Sequence, residues 1–313
     1  MAYPLLNKLS GKGGIGLYYQ KTLKSPIECG GVGLHSGRKV HMNLLPAPPD
    51  TGVIFRRLDL GNREIPAKAE SVSRVDFATT LGTGVAHVKT VEHLMGTFYG
   101  LGVDNVIVEL DAAEVPIMDG SAAAFVYLIH EAGLVQQNRT RRYLRVVKPL
   151  QVEHGERWIK ILPSSDLRVT YMVDYDHPLI RRQTLTIPIT AATFEDQVAP
   201  ARTFGFMRDI ESLRVQGLTL GGSKDNAVVL DESKVLNDHL RFPNEFVRHK
   251  ILDVLGDLAL SGFPLKAHVM VNKGGHNIHT EMARLLAESV ALHVVESTDE
   301  GWNPIGGLSQ PFA

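Results

Sequence analysis

The sequence contains a single cysteine, Cys29, among 313 residues. One cysteine excludes an intramolecular disulfide framework and any zinc site built from several thiolates. Neither sign of charge is in excess, since 33 Lys and Arg residues oppose 34 Asp and Glu residues. This balance gives the chain no overall attraction for nucleic acids or anionic membranes. A metal site would have to be built from carboxylates and from the 13 histidines that the chain contains.

Long apolar runs are also missing. The longest uncharged apolar stretch, residues 120–130, is shorter than the about 18 residues that a membrane span requires. The N-terminus has no charged segment followed by an apolar one, which is the pattern of an export signal. We therefore expect a cytoplasmic monomer that acts on a small molecule, without a nucleic-acid partner and without stable membrane insertion.

The length predicts two domains of ordinary size. Strand-like alternation and helix-like periodicity occur in both halves, which predicts an α+β fold with two similar layers. A charged segment at 136–145 is the expected boundary. We predict an N-terminal extension (1–18), a first domain (19–138), a second domain (139–300) and a C-terminal tail (301–313).

The extension contains a GxGxxG pattern formed by Gly11, Gly13 and Gly16. This pattern is typical of nucleotide-cofactor oxidoreductases when it follows a strand and opens a βαβ unit. Neither feature is predicted here, so a flexible loop is the favoured interpretation. The oxidoreductase is kept as an alternative function.

A helix predicted at 245–260 carries His249, Asp253 and Asp257 at positions i, i+4 and i+8. These side chains fall within about 80° of one another around the helix axis. One interpretation is a solvated polar face of an amphipathic helix. The other is that His249 and Asp253 bind one metal ion, which i,i+4 spacing permits.

A second helix is predicted to start with Thr90 as its N-cap and to end at Gly100 or Gly102. Its first turn carries Glu92 and His93, and His93 is either a core residue or a third metal ligand. Catalytic zinc sites usually have three protein ligands beside a carboxylate that accepts a proton from water. The sequence has no HExxH motif, so an ordinary zinc protease is disfavoured.

Three further positions carry functional side chains. His276 follows two glycines after a strand-like run and is a candidate general acid, because an imidazole titrates near neutral pH. Thr203 is an oxyanion donor or a turn residue. Lys250, beside His249, could serve an anionic or hydroxylated substrate. For His279 a second site histidine and a surface residue both stay open.

Six blocks of the sequence resemble one family: TVEHL, EVPIMDGSA, ARTFGFMRDIESL, LGGSKDNAVVLD, FVRHKILDVLGDL and GHNIH. The family is that of the zinc-dependent UDP-3-O-acyl-N-acetylglucosamine deacetylases of Gram-negative lipid A synthesis. The resemblance runs from about Thr22 to about Leu286 and includes GVGLHSG at 31–37. It implies two α+β domains of like topology, each a sheet with a helix pair, with the helices packed between the sheets.

The resemblance also implies an activity and the residues that perform it. The activity is hydrolysis of the N-acetyl group of a UDP-3-O-((R)-3-hydroxyacyl)-N-acetylglucosamine by a zinc-activated water, an early step of lipid A synthesis. One Zn²⁺ ion is expected, although the same donor set also suits Fe²⁺. The implied metal ligands are His93, His249 and Asp253. The implied catalytic residues are Glu92 as general base, His276 as general acid, Asp257 orienting His276, and Lys250 and Thr203 around the zinc.

A substrate-binding set is implied as well. Phe204 is expected to contact the sugar and Lys273 the nucleotide diphosphate, with Phe206 as a further contact. An apolar passage for the acyl chain is expected to include Ile210, Leu213 and Gly222. A non-catalytic lipid- or sugar-binding module would use such a passage, but it would have no use for Glu92, His276 and Asp257 as a set.

Two positions depart from the pattern of the family. The family usually has Ser-Gly-His-x-Leu-Asn where this chain has Gly274-Gly275-His276-Asn277-Ile278-His279. The loss of the serine and the asparagine is expected to change the hydrogen bonding near His276.

Overall fold

The computed structural model of the protein describes residues 19–289, 292–298 and 301–304. The predicted extension and its GxGxxG pattern lie outside these residues. Within them, six α-helices form: α1 (Glu92–Leu101), α2 (Ala123–Ala132), α3 (Ala191–Gln197), α4 (Met207–Val215), α5 (Glu245–Ala259) and α6 (His276–Glu288).

The first half of the chain is organised around a sheet with the strand order β2-β3-β9-β4-β5. Val40, Met42 and Leu44 on β3 are buried and alternate with more exposed neighbours, as their pattern predicted. Strand β9 runs antiparallel to β3 and parallel to β4. The strands are β1 (Tyr19–Leu23), β2 (Ile27–Val32), β3 (Lys39–Pro46), β4 (Val53–Arg57), β5 (Arg63–Pro66), β6 (Val72–Arg74), β7 (Thr80–Thr83), β8 (Ala86–Lys89), β9 (Val106–Leu110) and β10 (Leu134–Thr140).

The second half is organised around a larger sheet, in which β18 is the central strand. The order is β12-β13-β18-β11-β19-β20, and β14 joins the sheet by parallel pairing with β18 and antiparallel pairing with β15. The strands are β11 (Arg142–Val146), β12 (Leu150–His154), β13 (Arg157–Pro163), β14 (Arg168–Asp174), β15 (Arg182–Pro188), β16 (Phe204–Phe206), β17 (Val228–Leu230), β18 (Leu265–Asn272), β19 (Leu292–Thr298) and β20 (Gly301–Pro304).

The charged segment 136–145 forms strands β10 and β11, which are separated only by Arg141. Strand β10 pairs with β1, whereas β11 pairs with β18 and β19. The chain therefore passes from the first half to the second at this point. The domain boundary itself stays a prediction.

Helices α1 and α5 pack against each other between the two halves, and α5 also contacts β14 and β15. Two glycines permit the close approach. A Cβ at Gly256 would lie 2.0 Å from the carbonyl oxygen of Glu92, and a Cβ at Gly96 would lie 2.8 Å from Leu252 Cδ1. The α+β architecture predicted from the sequence is confirmed.

The start of α1 differs from its prediction. The helix begins at Glu92, with Val91 at the N-cap position and no side-chain cap. Thr90 has a φ of +58°, and its hydroxyl donates a hydrogen bond of 2.9 Å to Glu114 Oε1. An N-cap residue normally has extended φ/ψ and accepts a bond from the helix. The prediction of Thr90 as the cap was wrong because the buried Glu114 carboxylate takes its hydroxyl.

Even the longest helix in the described ranges, α5 with 15 residues, is shorter than the about 20 residues that cross a bilayer. No described helix is long and apolar enough for a membrane span.

Candidate active site

The contact between α1 and α5 brings His93 onto the polar face of α5. His93, His249 and Asp253 are all buried. The Nε2 atoms of His93 and His249 lie 3.6 Å and 3.3 Å from Asp253 Oδ1. One donor atom from each of the three residues lies within 4.8 Å of the others. The solvated-face interpretation of α5 is therefore wrong, because α1 covers this face.

These distances fit a shared metal ion. Zinc bonds of about 2.0–2.2 Å in tetrahedral geometry place neighbouring donor atoms about 3.4 Å apart. The 3.3 Å and 3.6 Å separations are longer than ordinary hydrogen bonds.

The protonation of the ligands also fits. His249 Nδ1 donates a 3.0 Å hydrogen bond to the Ala201 carbonyl, which leaves the Nε2 lone pair free. Burial lowers the pKa of His249 to about 3, so the ring is neutral. Burial opposes ionisation of Asp253, but Lys250 and His249 hold the pKa of this carboxyl well below its ordinary value. The three residues are able to hold a divalent metal ion.

A second group of three donors, Asp257, His276 and His279, lies nearby. Its distances are those of hydrogen bonds: Asp257 Oδ2 lies 2.8 Å from His276 Nδ1 and 2.9 Å from His279 Nδ1. Both rings donate an N–H to the Asp257 carboxylate, so these nitrogens have no lone pair for a metal ion. In the first group, His249 Nε2 has a free lone pair. Of the two clusters, the first is the better metal site.

Asp257 and His276 form a largely buried ion pair, and each shifts the pKa of the other toward its charged form. Burial opposes the charge of Asp257, but His276 and His279 lower its pKa to about 2. Burial by itself would lower the pKa of His276, but the Asp257 and Glu92 carboxylates outweigh it and raise the pKa to about 9. His276 is therefore cationic at neutral pH, with only 11% of its side chain exposed.

The Glu92 carboxylate lies close to the His276 imidazolium. Its Oε1 atom is 3.9 Å from His276 Nε2, and its Oε2 atom accepts a 3.0 Å hydrogen bond from the Thr79 N–H. Burial raises the pKa of Glu92, which brings the carboxylate closer to the range of a useful general base. The Thr79 hydroxyl also donates a 2.5 Å hydrogen bond to Asp257 Oδ1. Thr79 thus holds both carboxylates in place.

Lys250 and Thr203 lie at the edge of the cluster. Lys250 Nζ is 2.7 Å from Asp253 Oδ2 and 5.6 Å from the centre of the Phe204 ring. Burial opposes the charge of Lys250, but Asp253 raises its pKa above the ordinary value. Thr203 is fixed by its backbone, because its N–H donates to Gly120 and its carbonyl accepts from Val228.

A cavity of about 720 Å³ opens beside the cluster. Helix α4 and strands β16 and β17 contribute to its wall. The cavity is lined by seven of the residues for which a substrate or catalytic role is predicted: Thr203, Phe204, Phe206, Ile210, Leu213, Gly222 and Lys250. Its wall is mainly apolar, which suits a hydrocarbon chain.

Lys273 is the one predicted substrate residue that does not line this cavity. Its Nζ atom forms ion pairs of 3.0 Å with Glu156 Oε2 and 3.3 Å with Asp174 Oδ2. A diphosphate at this position would have to compete with two carboxylates.

The sequence patterns did not predict Thr79 or Tyr171, whose hydroxyl lies 3.1 Å from His279 Nε2, and they left both interpretations of His279 open. Thr79 precedes β7 in a short loop without helical or strand periodicity. Tyr171 is one of several alternating residues of β14, all of which are typical of a core strand. The local sequence does not indicate a role for either residue, because Thr79 contacts Asp257 and Tyr171 contacts His279 only in the folded chain.

Comparison with known proteins identifies relatives over most of the chain. The family model of the UDP-3-O-acyl N-acetylglycosamine deacetylases matches residues 20–288. A UDP-3-O-acyl-N-acetylglucosamine deacetylase of Marinobacter nauticus is 48% identical over 299 residues, covering 94% of this chain and 98% of the relative. The enzyme of the same name from Pseudomonas entomophila is 48% identical over 291 residues, covering 91% and 96%. That from Oleidesulfovibrio alaskensis is 46% identical over 277 residues, covering 88% and 91%.

Proposed function

The chain belongs to the UDP-3-O-acyl N-acetylglycosamine deacetylase family, and on that premise we propose that it hydrolyses the N-acetyl group of UDP-3-O-((R)-3-hydroxyacyl)-N-acetylglucosamine. This reaction would be an early step of lipid A biosynthesis. The observation that carries the proposal is the convergence of three buried side chains able to bind a metal ion near Glu92, whose Oε1 atom lies 3.9 Å from Nε2 of the cationic His276.

His93, His249 and Asp253 would hold one Zn²⁺ ion, and Fe²⁺ suits the same donors. When bound, the ion would supply a Lewis acid that polarises the acetamide carbonyl and lowers the pKa of water. The Ala201 carbonyl fixes the tautomer of His249, so this ligand needs no rearrangement before it binds.

Glu92 would accept the proton of the attacking water as the general base. Burial raises the pKa of Glu92, so that its carboxylate is a stronger base than an exposed glutamate. The hydrogen bond from the Thr79 N–H occupies Oε2 and leaves Oε1 facing the reacting groups. Loss of a water proton makes the oxygen a better nucleophile toward the amide carbon.

His276 would donate a proton to the amide nitrogen as the general acid. An amine leaves poorly unless it is protonated, and the pKa of His276 near 9 keeps the proton available at neutral pH. Asp257 would keep the Nδ1–H of His276 occupied, so that Nε2 carries the transferable proton. The carbon–nitrogen bond then breaks to give acetate and the free 2-amino sugar nucleotide.

Thr203 and Lys250 would assist at the carbonyl oxygen and the sugar. The fixed backbone of Thr203 presents its side chain to the cavity, where its hydroxyl can donate to the negative charge that develops on the oxygen. Lys250 offers a buried cation beside the Phe204 ring, against which the sugar would lie.

The acyl chain would occupy the cavity beside the cluster. Ile210, Leu213 and Gly222 would line its path, with Phe206 as a further contact. Lys273 would bind the nucleotide diphosphate after exchanging its carboxylate partners for phosphate oxygens.

An acetate-release assay with the acylated UDP-sugar tests the proposal. The purified protein is expected to release one acetate per substrate, to lose this activity on treatment with a chelator, and to regain it when zinc is added. A nucleotide-cofactor oxidoreductase or a binding module would release no acetate. Absence of acetate release from the zinc-loaded protein would therefore overturn the proposal.

A further inference from the structure

A second histidine lies behind the Asp257–His276 pair. His279, on the turn of α6 next to His276, has no exposed surface. Its Nδ1 atom lies 2.9 Å from Asp257 Oδ2, and its Nε2 atom lies 3.1 Å from the Tyr171 hydroxyl. Both nitrogens of this buried ring therefore have partners.

The partners determine which nitrogen carries the proton. Burial lowers the pKa of His279, so the ring is neutral and has a single N–H. A carboxylate can only accept a hydrogen bond, so Nδ1 must donate to Asp257. Nε2 then accepts from the Tyr171 hydroxyl. The resulting chain runs from Tyr171 through His279 to Asp257 and ends at the same oxygen that holds His276.

Gly274 makes room for this chain. A Cβ at position 274 would lie 2.7 Å from His279 Nε2, 2.9 Å from the Tyr171 hydroxyl oxygen and 2.4 Å from Val271 Cγ1. Real Cβ atoms do not approach other atoms so closely, so a side chain here would displace the ring or the tyrosine. Gly274 and His279, the two departures from the family pattern, therefore lie against each other. The His279 imidazole fits because position 274 has no side chain.

We propose that His279 is a positioning residue: it holds the Asp257 carboxylate in the orientation that receives His276, and it is itself held by Tyr171 in the space left by Gly274. The inference rests on the proposed function, because His276 must act as the acid for its orientation to affect the rate. Asp257 Oδ2 receives two ring N–H groups, and Oδ1 receives the Thr79 hydroxyl. A carboxylate bonded on both oxygens cannot rotate without breaking a bond. His276 Nε2 is thereby kept toward Glu92.

Substitutions at position 279 separate the hydrogen bond from the packing. His279→Leu fills much of the space but has no donor. His279→Asn places an amide N–H near the position of Nδ1 and restores the bond to Asp257. Tyr171→Phe removes a single hydroxyl and leaves both rings in place. His268→Leu on β18, where the imidazole contacts Thr170 rather than the site, is the matched control.

The steady-state constants and the thermal unfolding of each variant would be measured with the acylated UDP-sugar. Hydrogen-bond partners that orient metal ligands typically contribute 10- to 100-fold to activity, and we take the same range for a partner of the general-acid pair. His279→Leu is expected to lower kcat by about that factor with KM within about twofold. His279→Asn should recover most of kcat, Tyr171→Phe should lower kcat severalfold, and the control should match the wild type. A wild-type kcat in His279→Leu, or losses in the Leu and Asn variants that follow only their Tm, would overturn the inference.

A second readout does not depend on activity. Imidazole N–H protons bonded to a carboxylate resonate far downfield in NMR spectra. The wild type should show two such signals, from His276 and His279. In His279→Leu one should vanish and the other should shift, and a His276 signal at an unchanged position would overturn the inference. A wild type that shows both signals but releases no acetate would instead count against the proposed function alone.

Discussion

The Nε2 atom of His276 lies 3.9 Å from the Oε1 atom of Glu92. This distance is too long for a good hydrogen bond but short enough for both atoms to contact one water molecule or one substrate atom. The proposed acid and base therefore face the same small volume, and the proposed metal ligand His93 directly follows Glu92 on α1. Each element of the proposed reaction can be tested separately from this geometry.

The role of Glu92 can be tested with Glu92→Gln. The amide keeps the size of the side chain but cannot accept the proton of water, so kcat is expected to fall about 100-fold or more. The zinc content should stay at one ion per chain by elemental analysis. Near-normal turnover with a full complement of zinc would remove Glu92 from the role of base.

The metal-ligand assignment can be tested with His249→Ala. Loss of one of three ligands should leave the protein without tightly bound metal after dialysis against a weak chelator. His130→Ala, on the exposed surface of α2, is the control and should retain the ion. Elemental analysis decides the outcome, since a His249→Ala protein that still holds zinc tightly would mean that the ligand set is different.

The pKa of His276 predicts the alkaline side of the pH–rate profile. The general acid must be protonated, and the raised pKa of about 9 in the substrate-free protein means that kcat/KM should fall as the pH rises through that value. Asp257→Asn removes a negative charge that raises this pKa. The alkaline limb should therefore move to lower pH in the variant. An unmoved limb, or one displaced to higher pH, would show that His276 does not provide the titration.

Thr79 provides a test of the carboxylate positions. Thr79→Val removes the hydroxyl that bonds to Asp257 and keeps the backbone N–H that bonds to Glu92. Without this bond the Asp257 carboxylate loses one of the contacts that fix its orientation toward His276, so kcat is expected to fall about tenfold. Thr79→Ser keeps the hydroxyl and should remain near the wild type. Equal kcat values for the Val and Ser variants would argue against this contact.

Gly256 tests the close contact between α1 and α5. The Cβ of Gly256→Ala would lie 2.0 Å from the carbonyl oxygen of Glu92, so the helices would have to separate. Overpacking of this kind typically costs about 1–3 kcal/mol of unfolding free energy, which denaturant titration can measure. Gly205→Ala, where an added Cβ would meet no atom within 4 Å, is the control. Equal stability of the two variants would contradict the packing described here.

Local periodicity predicted much of the fold and part of the site. The spacing of His249, Asp253 and Asp257 located one helix and placed the three side chains on one face, because helical geometry depends only on neighbouring residues. The same spacing could not distinguish a solvated face from a buried one. That difference depends on α1, which reaches this face only because Gly96 and Gly256 lack side chains.

Contacts between distant segments could not be predicted in this way. Thr79 forms a hydrogen bond with Asp257, which lies 178 positions later in the sequence. Nothing in the sequence around either residue indicates this contact. Thr90 has the residue type of an N-cap, but a buried carboxylate on another segment takes its hydroxyl. The proposed roles of the substrate-binding residues came from the family resemblance, since an apolar helix face has the same pattern whether it covers a core or an acyl chain.

Anomalous X-ray diffraction at the zinc absorption edge, from crystals of the zinc-loaded protein, would locate the metal ion itself. If the proposed ligand set is right, one strong peak lies about 2.0–2.2 Å from His93 Nε2, His249 Nε2 and an Asp253 carboxylate oxygen. A peak bound instead by Asp257, His276 and His279, or no peak within bonding distance of His93, would contradict it.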